Sequence, residues 1–106
     1  MEIDQLKSLK RKVSSLKQAM VEVASGTSRI QDIDAEYKRN FADVNLEIEI
    51  LQEQYPEILN PNNFSSLWDW YNFYKDKSEY EYKAERCAYI FDMYACFSDR
   101  VDANIL

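Results

Sequence analysis

Apolar residues recur at every seventh position through the first half of the chain. One row reads Leu9, Leu16, Val23, Ile30, Tyr37, Val44, Leu51 and Ile58, with no polar interruption. The companion row reads Leu6, Val13, Met20, Thr27, Asp34, Phe41, Ile48 and Tyr55, apolar except at Thr27 and Asp34. A seven-residue spacing of paired apolar rows is the pattern of a coiled-coil seam. Leu9, Leu16, Val23, Ile30, Val44 and Leu51 are therefore the residues expected to join helix to helix, and copy to copy in a homo-oligomer.

Two structures satisfy this pattern. The phase runs unbroken through Gly26, which allows one continuous helix of roughly 50 residues, about 75 Å long. A rod of that length would itself imply a dimer. Ser25-Gly26-Thr27-Ser28 is also a turn-like cluster, and Ser28 with Gln31 has capping-box spacing. A chain folded back here becomes an antiparallel hairpin, with residues equidistant from the turn facing each other. Lys7 would then face Glu47, Lys10 would face Asp43, and Lys17 would face Glu36. These opposite charges favour the hairpin.

Tyr55-Pro56 and Asn60-Pro61-Asn62-Asn63 then interrupt the periodicity. A residue before proline is biased away from helical angles, and asparagine favours turns and caps. A third helix is predicted from Phe64 to Lys77, with Phe64, Leu67, Trp70, Tyr71 and Tyr74 as its core stripe. Ser78 with Glu81 repeats the capping-box spacing, so a fourth helix is predicted from Glu79 past Val101. Its seam is Cys87, Ile90, Tyr94, Phe97 and Val101. Ala84, Ala88, Phe91 and Ala95 widen its apolar surface beyond what one neighbour would cover. The fold class is all-α: a coiled-coil hairpin (or long helix) over residues 1–59, joined to an aromatic-rich helical pair over 60–106. The two parts pack as one domain resembling a four-helix bundle. The chain ends without a helix stop, which reads as a domain excised from something longer.

Composition agrees with this class. The 106 residues include one glycine and two prolines, too few turn residues for an all-β fold, and at 46 % hydrophobic the chain is too apolar for disorder. The net charge of −6 is unevenly spread. Residues 1–28 hold five basic and three acidic groups, 29–60 hold three and eight, and 61–106 hold five and eight. An acidic chain is poorly suited to the phosphate contacts that dominate nucleic-acid affinity. The basic run Lys7, Lys10, Arg11, Lys12 and Lys17 is the local exception. It reads as a solvated or intrachain-paired face, as a patch for nucleic acid or lipid, or as a partner-selecting strip. The second of these gives the alternative function, an accessory protein on nucleic acid. No stretch is long and apolar enough for a membrane span, and no secretory leader is apparent. Cytoplasmic localisation is expected, with Cys87 and Cys96 reduced and buried; their spacing puts them on opposite sides of a helix.

Catalysis is not expected. The chain has no histidine, hence no ordinary general base or Glu-x-x-His metal element, and it has no glycine-rich phosphate loop. The carboxylates Asp32, Asp34, Glu36, Glu47 and Glu49 read as a solvated helix face, and neither cofactor nor metal is implied. The segment Trp68-Asp69-Trp70-Tyr71-Asn72-Phe73-Tyr74 is more informative. Trp68 and Phe73 flank the core stripe, and Tyr80 and Tyr82 follow closely. Aromatic residues left over from a core are the usual anchors of protein interfaces, and the acidic neighbours here disfavour base stacking. Trp68, Phe73, Tyr80 and Tyr82 are therefore the candidate partner-binding residues.

Leu67-Trp68-Asp69-Trp70-Tyr71, followed by Tyr82, Arg86, Tyr89-Ile90 and Asp92-Met93-Tyr94, resembles helical regions that accompany effector domains in bacterial abortive-infection and related anti-phage proteins. The resemblance covers residues 64–97. Where those proteins tend to pair arginines, this chain has Arg86-Cys87. The resemblance implies a bacterial, cytoplasmic assembly module without effector chemistry of its own. Taken together, the expected function is a non-catalytic module that binds itself, another protein, or both.

Overall fold

The structure, a computed structural model, describes residues 2–105. It is a helical bundle of α1 (Glu2–Ser25), α2 (Ile30–Leu51), α3 (Leu67–Tyr74) and α4 (Lys83–Ile105), with a single 3-10 turn at Ser78–Tyr80.

Gly26 decides between rod and hairpin. Its φ of +72° lies in the left-handed region, where a side chain would be strained. The Gly26 amide donates to the Val23 carbonyl at 3.1 Å and the Thr27 amide to the Glu22 carbonyl at 3.0 Å. That pair of bonds is a Schellman closure, which satisfies the free carbonyls of a helix end and turns the chain. The predicted capping box at Ser28 does not form. Arg29 occupies the cap position without a side-chain cap bond, and the Ser28 hydroxyl instead donates to Glu22 Oε1 at 3.0 Å.

α1 lies between α2 and α4 and packs along both. It is antiparallel to each. Lys12 pairs with Glu47 of α2 at 3.1 Å. On the other side Lys10 pairs with Asp102, and Arg86 at the opposite end of α4 reaches Ala24. The three charge pairs predicted from a symmetric hairpin do not form. The four residues between the helices rotate and offset α2, so that Glu47 meets Lys12 rather than Lys7. Lys10 turns to α4, and Lys17 places its ammonium 4.6 Å from the centre of the Phe91 ring.

Every residue of the unbroken heptad row is buried within this one chain, from Leu9 to Ile58. Leu9, Leu16, Val23, Ile30, Val44 and Leu51 thus form the intramolecular core, and the expectation that they join separate copies is corrected. The repeat needs a partner helix on each apolar stripe, and α2 and α4 of the same chain supply it.

Residues 52–66 have no regular structure, yet they run back beside α2 instead of looping into solvent. Arg100 and Asn104 hold Glu57, through its carbonyl at 3.1 Å and its Oε1 at 3.0 Å. Asn60 donates to Asn45 at 2.8 Å. Ile58 is buried, and Asn62 is only 2 % exposed. The Asn62 side-chain amide donates to the hydroxyls of Tyr37 on α2 (2.8 Å) and Tyr94 on α4 (2.9 Å). Its carbonyl accepts from the Phe64 amide at 2.8 Å, and the Tyr37 hydroxyl donates to the Phe64 carbonyl at 2.6 Å. A buried side chain that satisfies all its donors and acceptors links α2, α4 and the returning strand of chain.

Burial is the principal cause that raises the phenol pKa of both Tyr37 and Tyr94 well above the ordinary value near 10. Their hydrogen bonds to Asn62 oppose the shift. Folding therefore favours the protonated phenols. Their contribution is complete below pH 10, where unfolded tyrosine is also protonated, and declines above it by about 1.4 kcal/mol per pH unit and per tyrosine. Urea midpoints measured at pH 9, 10 and 11 should fall more steeply above pH 10 for the wild-type chain than for Tyr94→Phe. Parallel curves for the two proteins would contradict this account.

Helix boundaries in the second half differ from those predicted. α3 spans two turns, shorter than the predicted Phe64–Lys77, because two caps define its start. Ser66 Oγ accepts from the Asp69 amide at 3.1 Å, and Asp34 Oδ1 accepts from the Leu67 amide at 2.8 Å. Asp34 is accordingly buried rather than part of a solvated face. α4 begins at Lys83, after the 3-10 turn that replaces the predicted capping box at Ser78. Arg86 braces this junction. It donates to the carbonyls of Tyr80 (2.8 Å), Glu81 (3.0 Å) and Ala24 (3.2 Å), with its guanidinium 4.5 Å from the centre of the Tyr74 ring. The cation thereby sits at the C-terminal end of α1, where the helix dipole favours it. Cys96 is exposed and Cys87 half-buried, both free, which corrects their placement in the core.

Candidate interaction surfaces

The aromatic segment divides into a buried and an exposed set. Trp70 is fully buried beneath α1, donating its indole N–H to the Met20 carbonyl at 3.1 Å. Around it pack Phe64 (5.5 Å between ring centres), Tyr74 (4.9 Å) and Tyr89 (5.7 Å). Phe73 and Tyr80 belong to the same cluster. Phe73 lies 5.1 Å from Tyr89 and 5.6 Å from Tyr80, and the Lys77 ammonium sits 3.6 Å from its ring centre. Both are half-buried. Expected as partner-binding residues, these side chains have an intramolecular use, packing α3 against α4 across the 3-10 turn.

Trp68 and Tyr82 are different. Trp68 is 45 % exposed and Tyr82 67 % exposed. Trp68 meets Tyr71 edge to face at 6.2 Å. Tyr71, predicted to lie in the core stripe, is exposed as well, because the short α3 packs across the turn end of α1 and α2 and its buried arc is narrow. Tyr71 lines a shallow depression with Lys75, Lys83 and the last residues of α1. Tyr82 precedes Lys83 in the chain. One end of the bundle therefore exposes Trp68 and Tyr71 next to two lysines.

Two further surfaces carry exposed apolar residues. On α4, Phe91 is exposed together with Ala84, Ala88 and Ala95, one helical stripe left at the surface, with the Lys17 ammonium of α1 over the Phe91 ring. On α2, Leu46 and Ile50 are 58 % and 70 % exposed, one turn apart, and form a small surface depression with Glu49 and Glu53. Sequence periodicity missed this pair because both residues lie off the heptad rows. A broad groove runs between the start of α1 and the end of α4, lined by Asp4, Lys7, Lys10, Arg11, Asp102 and Ile105, among others.

The basic run is largely consumed within the chain. Lys10 and Lys12 are in ion pairs and Lys17 lies on Phe91, which leaves Lys7 and Arg11 without an ion pair among the described residues. Among the described residues no group of three or more carboxylates and thiols is gathered where a metal ion could sit. None of the described helices is long and apolar enough to cross a membrane. Comparison with protein-family models, with curated proteins and with solved structures gives no significant match.

Proposed function

We propose that this chain is a non-catalytic module that binds protein surfaces, with the exposed edge of α3 as its partner-facing element. The observation that carries this reading is Trp68, nearly half exposed beside Tyr71 while every other aromatic of α3 packs inward. Large aromatic side chains left at a surface dominate binding energy once a partner desolvates them. The resemblance of residues 64–97 to helical companions of bacterial anti-phage effectors makes an effector domain the partner class of first interest. The nucleic-acid reading rests on Lys7 and Arg11 alone, within a chain of net charge −6, and counterion release from two cations supports little affinity.

Trp68→Ala should leave helix content unchanged and shift the denaturation midpoint little, by an amount equivalent to less than about 1 kcal/mol. A photo-crosslinker placed at position 68 in cells should capture a discrete protein, and one placed at the exposed position 99 on α4 should not capture it. Loss of about 3 kcal/mol or more in Trp68→Ala, or a position 68 that captures nothing, would overturn the reading.

A further inference from the structure

We infer that a second copy of this chain is itself a partner, and that it docks the outer edge of α2 into the groove between α1 and α4. The inference deepens the protein-binding reading and rests on it, although it uses a different surface from Trp68.

Charge and shape both select this pairing. The donor edge carries two large apolar side chains, Leu46 and Ile50, bordered by the carboxylates Glu49 and Glu53. The receiving groove carries Lys7 and Arg11 beside the mutually neutralising Lys10–Asp102 pair, with Asp4 as its other carboxylate, and its remaining lining is the small side chains of Ser14 and Ser15 and Ile105. None of Glu49, Glu53, Lys7 and Arg11 forms an ion pair with another described residue. Lys7 and Arg11 are four residues apart on α1, as Glu49 and Glu53 are on α2. Each pair therefore spans one helical turn, about 6 Å, so two ion pairs can form in register between crossing helices. The segmental charges agree, since the chain up to residue 28 is net basic and residues 29–60 are strongly acidic.

The two patches also share one end of the bundle. The Lys12–Glu47 pair joins α1 and α2 at this level, and α4 terminates there through Asp102. A twofold axis between the patches lets each copy offer its α2 edge to the groove of the other, so the contact closes as a dimer instead of propagating. Opposite charges at the rim set register and partner choice, while Leu46 and Ile50 supply the apolar burial.

Charge reversal tests this directly, because all four residues are exposed and their replacement leaves the core intact. Sedimentation equilibrium of the full chain, from micromolar to millimolar concentration, should show a reversible dimer for wild type. Lys7→Glu/Arg11→Glu and Glu49→Lys/Glu53→Lys should each weaken self-association by roughly tenfold or more, with unchanged circular dichroism. Mixing the two variants should restore dimerisation, since each then offers the charges the other lacks. Wild-type dimers that both variants reproduce unchanged would place the contact elsewhere and overturn this inference, leaving the protein-binding reading in place. A mixture no stronger than its components would overturn it too. A wild type that stays monomeric throughout would overturn self-docking, and the Trp68 crosslink would then decide the broader reading separately.

Discussion

Trp70→Ala is expected to destabilise the fold by about 3 to 5 kcal/mol, the largest effect of any single substitution considered for this chain. The indole lies at the meeting point of α1, α3 and α4, in contact with Phe64, Phe73, Tyr74 and Tyr89. Its removal leaves a cavity that four rings cannot collapse into without breaking their contacts with one another. It also removes the indole N–H that the Met20 carbonyl accepts in addition to its helix bond, on the side of α1 facing α3. Small natural domains are stable by only about 5 to 15 kcal/mol in total. Trp70→Ala should accordingly show a substantially lowered urea midpoint and partial unfolding at physiological temperature. Trp70→Phe keeps most of the ring volume and loses the hydrogen bond, so a smaller loss of about 1 to 2 kcal/mol is expected. Equal losses from the two variants would mean that the hydrogen bond, rather than the packing, dominates. A loss under about 1 kcal/mol from the alanine variant would contradict the placement of Trp70 in the core.

Asn62→Leu is expected to cost on the order of 3 kcal/mol, although leucine has the same branched outline and is more apolar. The replacement leaves the Tyr37 and Tyr94 hydroxyls without their donor and the Phe64 amide without its acceptor, all in a buried site. Each stranded polar group costs about 1 to 3 kcal/mol, partly offset by the transfer of the leucine side chain from water. A double-mutant cycle identifies this cause. Adding Tyr94→Phe removes one of the stranded hydroxyls, so the double variant should be less destabilised than the sum of the single ones, by about 0.5 to 3 kcal/mol. Additive losses would show that Asn62 acts through the backbone of the returning segment and not through the tyrosines. Hydrogen exchange of residues 58–64 should rise in Asn62→Leu before that of α1 does, since the segment has few regular backbone bonds of its own.

The heptad rows determined the helical class and nearly all of the buried faces of α1 and α2, because burial of one stripe of a helix is a local requirement that composition must satisfy. They did not mark the end of α2, since they run on to Tyr55 and Ile58 beyond its last residue, Leu51. Gly26 with its flanking serine and threonine was legible as a turn for the same local reason: a left-handed residue is needed to close a helix end, and glycine adopts it without strain. Asp34 was read as a break in the apolar row, and only the returning chain showed its purpose, a cap for the first amide of α3. Asn62 was read as a turn or cap residue. Its position between Tyr37 and Tyr94 depends on two helices far apart in sequence, and no local pattern encodes such a meeting. The same distinction separates the aromatics. Trp68 and Phe73 flank the helical stripe alike, but the 3-10 turn brings Tyr80 and α4 over Phe73 and leaves Trp68 uncovered. Periodicity specifies that an apolar stripe must be covered and is silent on what covers it. Tertiary structure decided that the heptad seam closes within one chain, which leaves Leu46 and Ile50, both off the heptad rows, among the apolar residues exposed for a partner.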